Sequence, residues 1–181
     1  MNPKIFQILL TWYPPYMGTG IRVKHISEDY RHTLVEMRMH FFNRNYMGTH
    51  FGGSLYAMTD PFYALMLIQI LGNDYVVWDK SATIEFVSPG KGNVYADFRV
   101  EEPLIQDIRE KTAEGAKYLP RLTVEIRDER KTLVARVHKT LYVRKKSSGR
   151  IYRKPLMIRM AEIISALMEG IERFKPNQIR K

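Results

Sequence analysis

The segment 45–72, NYMGTHFGGSLYAMTDPFYALMLIQILG, constrains the fold of this chain more than any other. It opens with a loop that has glycine at positions 48, 52 and 53, and it continues as a run that is apolar on every side. A helix that is apolar all round has to be buried, because it has no polar face to turn to water. We therefore expect a buried central helix around which the rest of the chain is organised.

One charged side chain, Asp60, interrupts the apolar run between Phe51 and Gly72. A lone carboxylate in apolar surroundings must recover its lost hydration from hydrogen bonds, or it becomes easier to protonate and useful for acid–base chemistry. Pro61 follows directly; it lacks an N–H, and its ring clashes with the carbonyl of Ala57, so we expect a kink beside Asp60. Asp60 is the first candidate catalytic residue.

Length and composition favour one domain with an appendage. The 181 residues are 45% hydrophobic, which suits a folded core, and the absence of cysteine excludes disulfides and thiolate zinc sites. The apolar run near the N-terminus is too short for a membrane span and has no small-residue cleavage site, so we expect no secretory signal and a cytoplasmic protein.

The net charge of +10 is unevenly distributed. Residues 1–135 hold 16 basic and 16 acidic side chains, whereas residues 136–181 hold 13 basic and 3 acidic ones, so the whole excess lies in the last quarter. Such a region suits a surface for a polyanion, although solvated charge runs without a ligand are common.

Periodicity and turn residues predict an α+β protein with antiparallel pairing. Strands and helices follow each other without βαβ alternation or internal repeat, so a sheet wrapped around the central helix follows naturally. The predicted elements are a helix at 3–12, a hairpin within 21–41 with a break near Ser27, strands at 74–88, 93–100, 119–127 and 132–144, a short exposed helix or structured loop at 103–116, and an amphipathic helix at 156–174.

Residues 45–53 resemble the loop N-x-x-G-x-x-H-G-G of the hotdog-fold acyl-CoA thioesterases of the phenylacetate-degradation (PaaI-like) type. The sequence resembles an uncharacterised branch of that superfamily more closely. The family has an aspartate about two turns into the helix, where Asp60 stands, and a histidine where this chain has Phe51. Segments 81–97 and 124–145 resemble the second signature and the closing hairpin, so the resemblance covers roughly residues 20–145. It implies a hotdog domain over 1–146, followed by a basic linker and an extra C-terminal helix over 147–181.

The resemblance implies thioester hydrolysis without a cofactor or metal. The Gly53 N–H would bind the thioester carbonyl, and Asp60 from the facing subunit would activate water or attack directly, which implies a homodimer or homotetramer. A glycine pair entering a helix can perform this role because its N–H groups attract negative charge, although a tight turn accounts for such a pair equally well.

Further residues complete the expected site. Asn45 is a candidate second amide donor, or alternatively a loop cap, and His50 is a candidate partner of the carbonyl or of Asp60, or alternatively a structural histidine. The expected catalytic set is Asp60, Gly53, Asn45 and His50, and the expected substrate-binding set is Gly52, Phe51, Thr59, Lys145 and Lys146. Some of Arg136, Lys139, Arg144, Lys145 and Lys146 would bind the phosphates of coenzyme A, with nucleic acid as the rival partner.

Two other functions remain open. Phe51 in place of the family histidine is compatible with a non-catalytic module that binds acyl groups or coenzyme A. The sequence Gly-Thr-His-Phe at 48–51 is similar to the loop of hotdog dehydratases, but the helical position that should be acidic in those enzymes is Ala64. Motifs for metal, serine or nucleotide hydrolysis are absent from the sequence.

Overall fold

The computed structural model describes residues 2–147 together with Ile163 and Ala166. The predicted helix 156–174, apart from those two residues, and the basic linker beyond residue 147 lie outside the described part. The described helices are α1 (Pro3–Thr11), α2 (Pro14–Met17), α3 (Gly52–Ala57), α4 (Phe62–Leu71) and α5 (Glu102–Lys111), with a 3-10 turn at Phe41–Asn43. The strands are β1 (Ile21–Ile26), β2 (His32–Met37), β3 (Tyr75–Phe86), β4 (Val94–Arg99), β5 (Lys117–Tyr118), β6 (Arg121–Asp128) and β7 (Leu133–Lys145).

The strands form one antiparallel sheet in the order β1-β2-β4-β6-β7-β3, with the short β5 paired to β7. The sheet wraps around α4, whose Phe62 and Tyr63 rings both lie 5.1 Å from the ring of Phe98 in β4. This confirms the predicted α+β fold with an antiparallel sheet around a central helix. The long strand β3 forms one edge of the sheet.

The alternation of inward and outward residues along the strands explains which side chains form the core. The predicted inward residues Val94, Ala96, Phe98 and Val100 are all buried, as the alternation requires. The predicted hairpin is confirmed as β1 and β2, and the two strands predicted at 119–127 and 132–144 are β6 and β7. One face of each strand therefore carries the core.

The two peripheral helices cover the rest of the core. Helix α1 begins at Pro3 because the Asn2 side chain accepts the N–H of Lys4 at 2.9 Å, and it confirms the helix predicted at 3–12. Helix α5 occupies the stretch predicted as an exposed helix or loop. Its Ile105 and Ile108 side chains are buried, so one of its faces belongs to the core.

The central helical stretch Gly52–Leu71 is long and apolar enough to cross a membrane by length and composition alone. In the structure, however, 56% of its apolar window is buried within the protein. Its apolar character is therefore the one expected for the core helix that the sheet surrounds.

Candidate functional site

The central helix is broken next to Asp60. Helix α3 ends at Ala57 and α4 begins at Phe62, and the Asp60–Pro61 peptide between them is cis. Pro61 has no N–H to continue the helical hydrogen bonds. The expected kink is confirmed, and the helix is interrupted there as well as bent. The interruption turns the Asp60 side chain towards the sheet edge, where 47% of it is exposed.

The carboxylate of Asp60 contacts a lysine that is completely buried. Lys139 Nζ lies 3.1 Å from Asp60 Oδ1 and 3.0 Å from Asp79 Oδ1, and it donates to the Thr59 carbonyl at 3.3 Å. The side chain of Lys139 is 0% exposed. Asp60, Asp79 and Lys139 form what we call the charge cluster, which joins the helix break to β3 and β7. A buried ammonium needs such partners, because burying it without them costs roughly several kcal/mol of hydration free energy.

Asp79 is the more enclosed carboxylate of the charge cluster, with 24% of its side chain exposed. Burial raises the pKa of Asp79 and the nearby Asp60 adds to the rise, whereas the Lys139 ammonium opposes it. A β-bulge between Asp79 and Ser81 lies where β3 pairs with β7. Because a bulge re-aims neighbouring side chains, it contributes to the inward direction of Asp79.

Two tyrosines surround the charge cluster. The hydroxyl of Tyr16 in α2 donates to the backbone carbonyl of Asp60. Tyr16 is buried, and both burial and the charge of Asp60 raise the pKa of its hydroxyl. The ring of Tyr56 lies 6.0 Å from Lys139 Nζ. The Tyr16 contact holds the helix break in place, and the Tyr56 ring covers the ammonium of Lys139.

The glycine loop enters α3 through Phe51, which provides no side-chain cap. Among the described residues, no acceptor takes the N–H of Gly52 or Gly53, so both groups are available to a ligand. Aromatic rings lie directly over both glycines. A Cβ atom at Gly53 would lie 2.5 Å from Phe51 Cε1, and one at Gly52 would lie 2.9 Å from Phe86 Cζ, so a side chain at either position would displace a ring.

His50 does not join Asp60. Its Nε2 lies 2.8 Å from the Gly92 carbonyl, its side chain is buried, and its Nδ1 has no hydrogen-bond partner among the described residues. Burial lowers the pKa of the ring, so it is neutral at pH 7 with Nε2 as the donor. This contact fixes the turn after β3 and favours the alternative interpretation of a structural histidine, while a catalytic role for His50 stays a prediction.

Asn45 and Thr59 also have structural contacts. The Asn45 amide donates to Thr49 Oγ1 at 2.8 Å and accepts from the Met47 and Thr49 N–H groups at 3.0 and 3.1 Å, so it closes the 45–50 loop on itself. Thr59 is buried and its hydroxyl donates to the Tyr56 carbonyl. These contacts give both side chains a structural role, and their expected roles towards the substrate stay predictions.

The expected basic surface divides into two parts. Lys139 is internal and Arg136 pairs with Glu125 at 2.9 Å, so neither is a free head-group ligand. Lys145 is exposed at the end of β7, and Lys146 donates to the Asn73 carbonyl. Lys145 lies six positions after Lys139, which is about 20 Å along a strand, so these end positions lie well away from the charge cluster.

A cavity of about 780 Å³ lies elsewhere, between β4 and β6. The two strands pair only from Val94 to Ala96, and beyond this point Tyr63 fills the gap and donates to the Thr123 carbonyl at 2.9 Å. Asp60, Asp79 and Lys139 do not line this cavity. The candidate site is therefore the charge cluster and the glycine loop, because the carboxylates and the N–H groups available to a ligand lie there.

Sequence reasoning assigned Lys139 to the coenzyme A surface and missed both Lys139 and Asp79 as partners of Asp60. The available signal was the alternation in β7, where Lys139 takes an inward position between the buried Val137 and Leu141. A lysine at a position that should be apolar indicates a buried counter-charge. Asp79 had no comparable signal, because only the bulge and the packing against β7 bring it to Lys139.

Solved structures of similar fold include several thioesterases. A Pseudomonas aeruginosa protein of unknown function, described as a probable thioesterase, has a TM-score of 0.70 at 17% identity, covering 81% of this chain and 97% of its own. A thioesterase from Haemophilus influenzae has a TM-score of 0.60 at 15% identity, covering 83% of this chain and 96% of its own. The PaaI protein from the phenylacetic acid degradation operon of E. coli has a TM-score of 0.56 at 16% identity, covering 80% of this chain and 92% of its own.

At these identities the likeness shows the fold, which is the hotdog fold. A comparison with curated proteins gave no match. The family described as "Domain of unknown function (DUF4442)" matches residues 3–143, which span nearly the whole described part of the chain. The match covers both the glycine loop and the charge cluster, and the chain therefore belongs to the DUF4442 family.

Proposed function

We propose that this protein hydrolyses acyl-CoA thioesters at a site shared by two subunits. The observation that carries the proposal is the position of Asp60: a half-exposed carboxylate at the break of the central helix, fixed on one oxygen by a buried lysine. Such a group is accessible to a substrate and is held in one orientation, which are the two requirements for a general base or nucleophile.

The proposed reaction needs only water and the thioester. Asp60 takes a proton from water, the resulting hydroxide attacks the thioester carbon, and the Gly53 N–H donates to the developing oxyanion. The tetrahedral intermediate expels the coenzyme A thiolate, which accepts the proton from Asp60. In the alternative route, Asp60 attacks the carbon itself and the coenzyme A thiolate leaves, giving a mixed anhydride. Water then hydrolyses the anhydride to the free acid and the Asp60 carboxylate, and the thiolate takes up the proton that is released.

One subunit alone does not assemble this reaction centre. Gly53 and Asp60 are seven residues apart along a helical path, which corresponds to about 10 Å at the helical rise. A carbonyl group has to lie about 3 Å from both the oxyanion donor and the attacking group. We therefore place Gly53 and Asp60 of a single site on different subunits.

The edge strand β3 offers the surface for this dimer. It is twelve residues long and pairs with β7 on one side only among the described strands, and its exposed residues include Trp78 and Phe86. A long, apolar edge of this kind favours pairing with another strand. Asp79 belongs to the charge cluster, and Phe86, seven residues further along β3, packs on Gly52 of the glycine loop. Antiparallel pairing of two β3 edges about a point between these residues would therefore bring the charge cluster of one subunit towards the glycine loop of the other.

One observation favours a second function. The Phe51 ring is 56% exposed and lies where a side chain at Gly53 would be, next to the glycine whose N–H the reaction requires. A ring in this position would suit a module that binds acyl groups through apolar contact and does not hydrolyse them. In the hydrolytic proposal, the same ring turns aside to contact the acyl group of the substrate.

Turnover of an acyl-CoA panel distinguishes the two functions. The full chain is incubated with short, long and aromatic acyl-CoAs, and free-thiol release and binding are measured on the same samples. We expect thiol release from at least one substrate. Binding without thiol release above the buffer rate for every member of the panel would reject hydrolysis and favour the binding module.

A further inference from the structure

The charge cluster contains one cation for two anions, and the cation is fully enclosed. An ammonium group has three N–H donors, and Lys139 has three acceptors within reach: Asp60 Oδ1, Asp79 Oδ1 and the Thr59 carbonyl. Lys139 donates to Asp60 Oδ1 and to the Thr59 carbonyl and forms an ion pair with Asp79 Oδ1, so the group cannot turn to another partner without losing a contact. Lys139 fixes the orientation of the Asp60 carboxylate.

Stability alone does not account for this arrangement. The neighbours of Lys139 on the inward face of β7 are the buried residues Val137, Leu141 and Val143, so an apolar side chain at position 139 would continue the core. Replacing a buried ion cluster by apolar residues of similar size is often neutral or stabilising. The cluster is instead located at the one carboxylate for which the proposed reaction has a use.

We infer that Lys139 and Asp79 are positioning residues that set the orientation and charge of Asp60, an inference that rests on the proposed hydrolysis. Lys139 holds Oδ1 and leaves the exposed part of the carboxylate to water or substrate. Asp79 shares the ammonium, so the fully ionised cluster keeps a net charge of −1.

The groups facing Asp60 define what a test has to control. They are Lys139 from β7, Asp79 from β3, and the hydroxyl of Tyr16 from α2, which donates to the Asp60 carbonyl; the Tyr56 ring faces Lys139. The two tyrosines contribute a hydroxyl donor and an aromatic ring. The two other members of the charge cluster are therefore the charges to vary.

The test compares Asp79→Asn and Lys139→Met with the wild type over a range of pH. Asp79→Asn preserves shape and removes a negative charge, so the acidic limb of the kcat profile should move to lower pH. Lys139→Met removes a positive charge, so the same limb should move to higher pH. In both variants we expect kcat to fall about tenfold or more with little change in KM. The exposed residues Asp74 and Lys117 provide the matched controls Asp74→Asn and Lys117→Met, which should leave the profile unmoved.

A purely structural role for the charge cluster would give a different result. Activity would then fall in proportion to the folded fraction, measured by circular dichroism, and the acidic limb would stay at the wild-type pH in both variants. That outcome would overturn the inference. Asp79→Asn keeps the test valid if Lys139→Met does not fold.

Failure of the proposed hydrolysis is distinguishable from failure of this inference. If the wild type releases no thiol, ¹³C NMR titration of the Asp79 carboxyl still measures the coupling. We expect its titration midpoint to fall in Asp60→Asn and to rise in Lys139→Met, because the first removes a like charge and the second an opposite charge. A midpoint equal to that of the wild type in both variants would overturn the inference whatever the activity.

Discussion

Lys139 Nζ lies 3.1 Å from Asp60 Oδ1, joining the middle of the last strand to the break of the central helix. The contact gives Asp60 a counter-charge that the apolar sequence around it does not provide. It also explains how a carboxylate beside a buried helix keeps a fixed position while half of it faces solvent.

Asp60→Asn is the direct test of the catalytic carboxylate. The amide keeps the size of the side chain and can still accept from Lys139, but it can neither take a proton from water nor attack the thioester. Thiol release should fall about a hundredfold or more, while the circular dichroism spectrum stays unchanged. Asp74→Asn, at an exposed position, is the control. Near-normal turnover in Asp60→Asn would remove this residue from the mechanism.

His50, in the glycine loop, should contribute to the pH dependence of the free energy of unfolding. The pKa of His50 is lowered from 6.5 in the folded protein by burial, so the unfolded chain takes up a proton first. The stability that neutral His50 contributes is therefore present above pH 6.5 and is lost as the pH falls through the lowered pKa. His50→Gln should make the free energy of unfolding less dependent on pH over the range from about 7 to 5.

Urea unfolding at several pH values measures this effect. The exposed residue His25 provides the matched control, because His25→Gln removes a histidine from the surface of β1. The prediction fails if His50→Gln and His25→Gln have the same pH dependence of stability as the wild type.

Assembly can be tested on β3. Thr83 is exposed near the middle of β3, so Thr83→Lys would place a charge on the edge that pairs in the proposed dimer. We expect the wild type to be at least a dimer by light scattering at micromolar concentration, and Thr83→Lys to be monomeric, folded and inactive in thiol release. Thr132→Lys, in the exposed turn between β6 and β7, is the control for added charge. An active monomer would contradict the shared site.

The parts of the structure that the sequence predicts are those fixed by local periodicity. Val94, Ala96 and Phe98 alternate with polar residues, and this alternation alone determines which side of β4 is buried. The interruption at Pro61 follows equally from local chemistry, because proline removes a backbone donor.

The charge cluster depends instead on contacts between distant residues. Asp60 and Lys139 are 79 residues apart, and their meeting depends on how β7 packs against the helix break. The alternation in β7 does place Lys139 inward, but only the packing identifies its two partners. Asn45 shows the opposite case: its amide is used within its own loop, so a residue type suited to catalysis has a local role.

The basic end of β7 remains the candidate surface for the phosphates of coenzyme A. Lys145 is exposed there, and the adjacent Lys146 is held at the Asn73 carbonyl, so the two ammonium groups are presented about 20 Å along the strand from Lys139. Charges at such a distance attract the substrate without touching the thioester. Changing Lys145 and Lys146 to Gln should therefore raise KM for acyl-CoA and leave kcat nearly unchanged.

Ionic strength gives this prediction a second readout. The KM of the wild type should rise with salt as the screening length falls below about 10 Å, its value near 0.1 M, and the doubly changed variant should respond less. Lys117→Gln, an exposed lysine on the neighbouring strand β5, is the control for lost charge. Two results together would instead assign the basic surface to nucleic acid: salt-sensitive binding of duplex DNA by the wild type, and an unchanged KM in the doubly changed variant. Salt sensitivity is the relevant sign because each protein–phosphate contact releases counterions from the DNA.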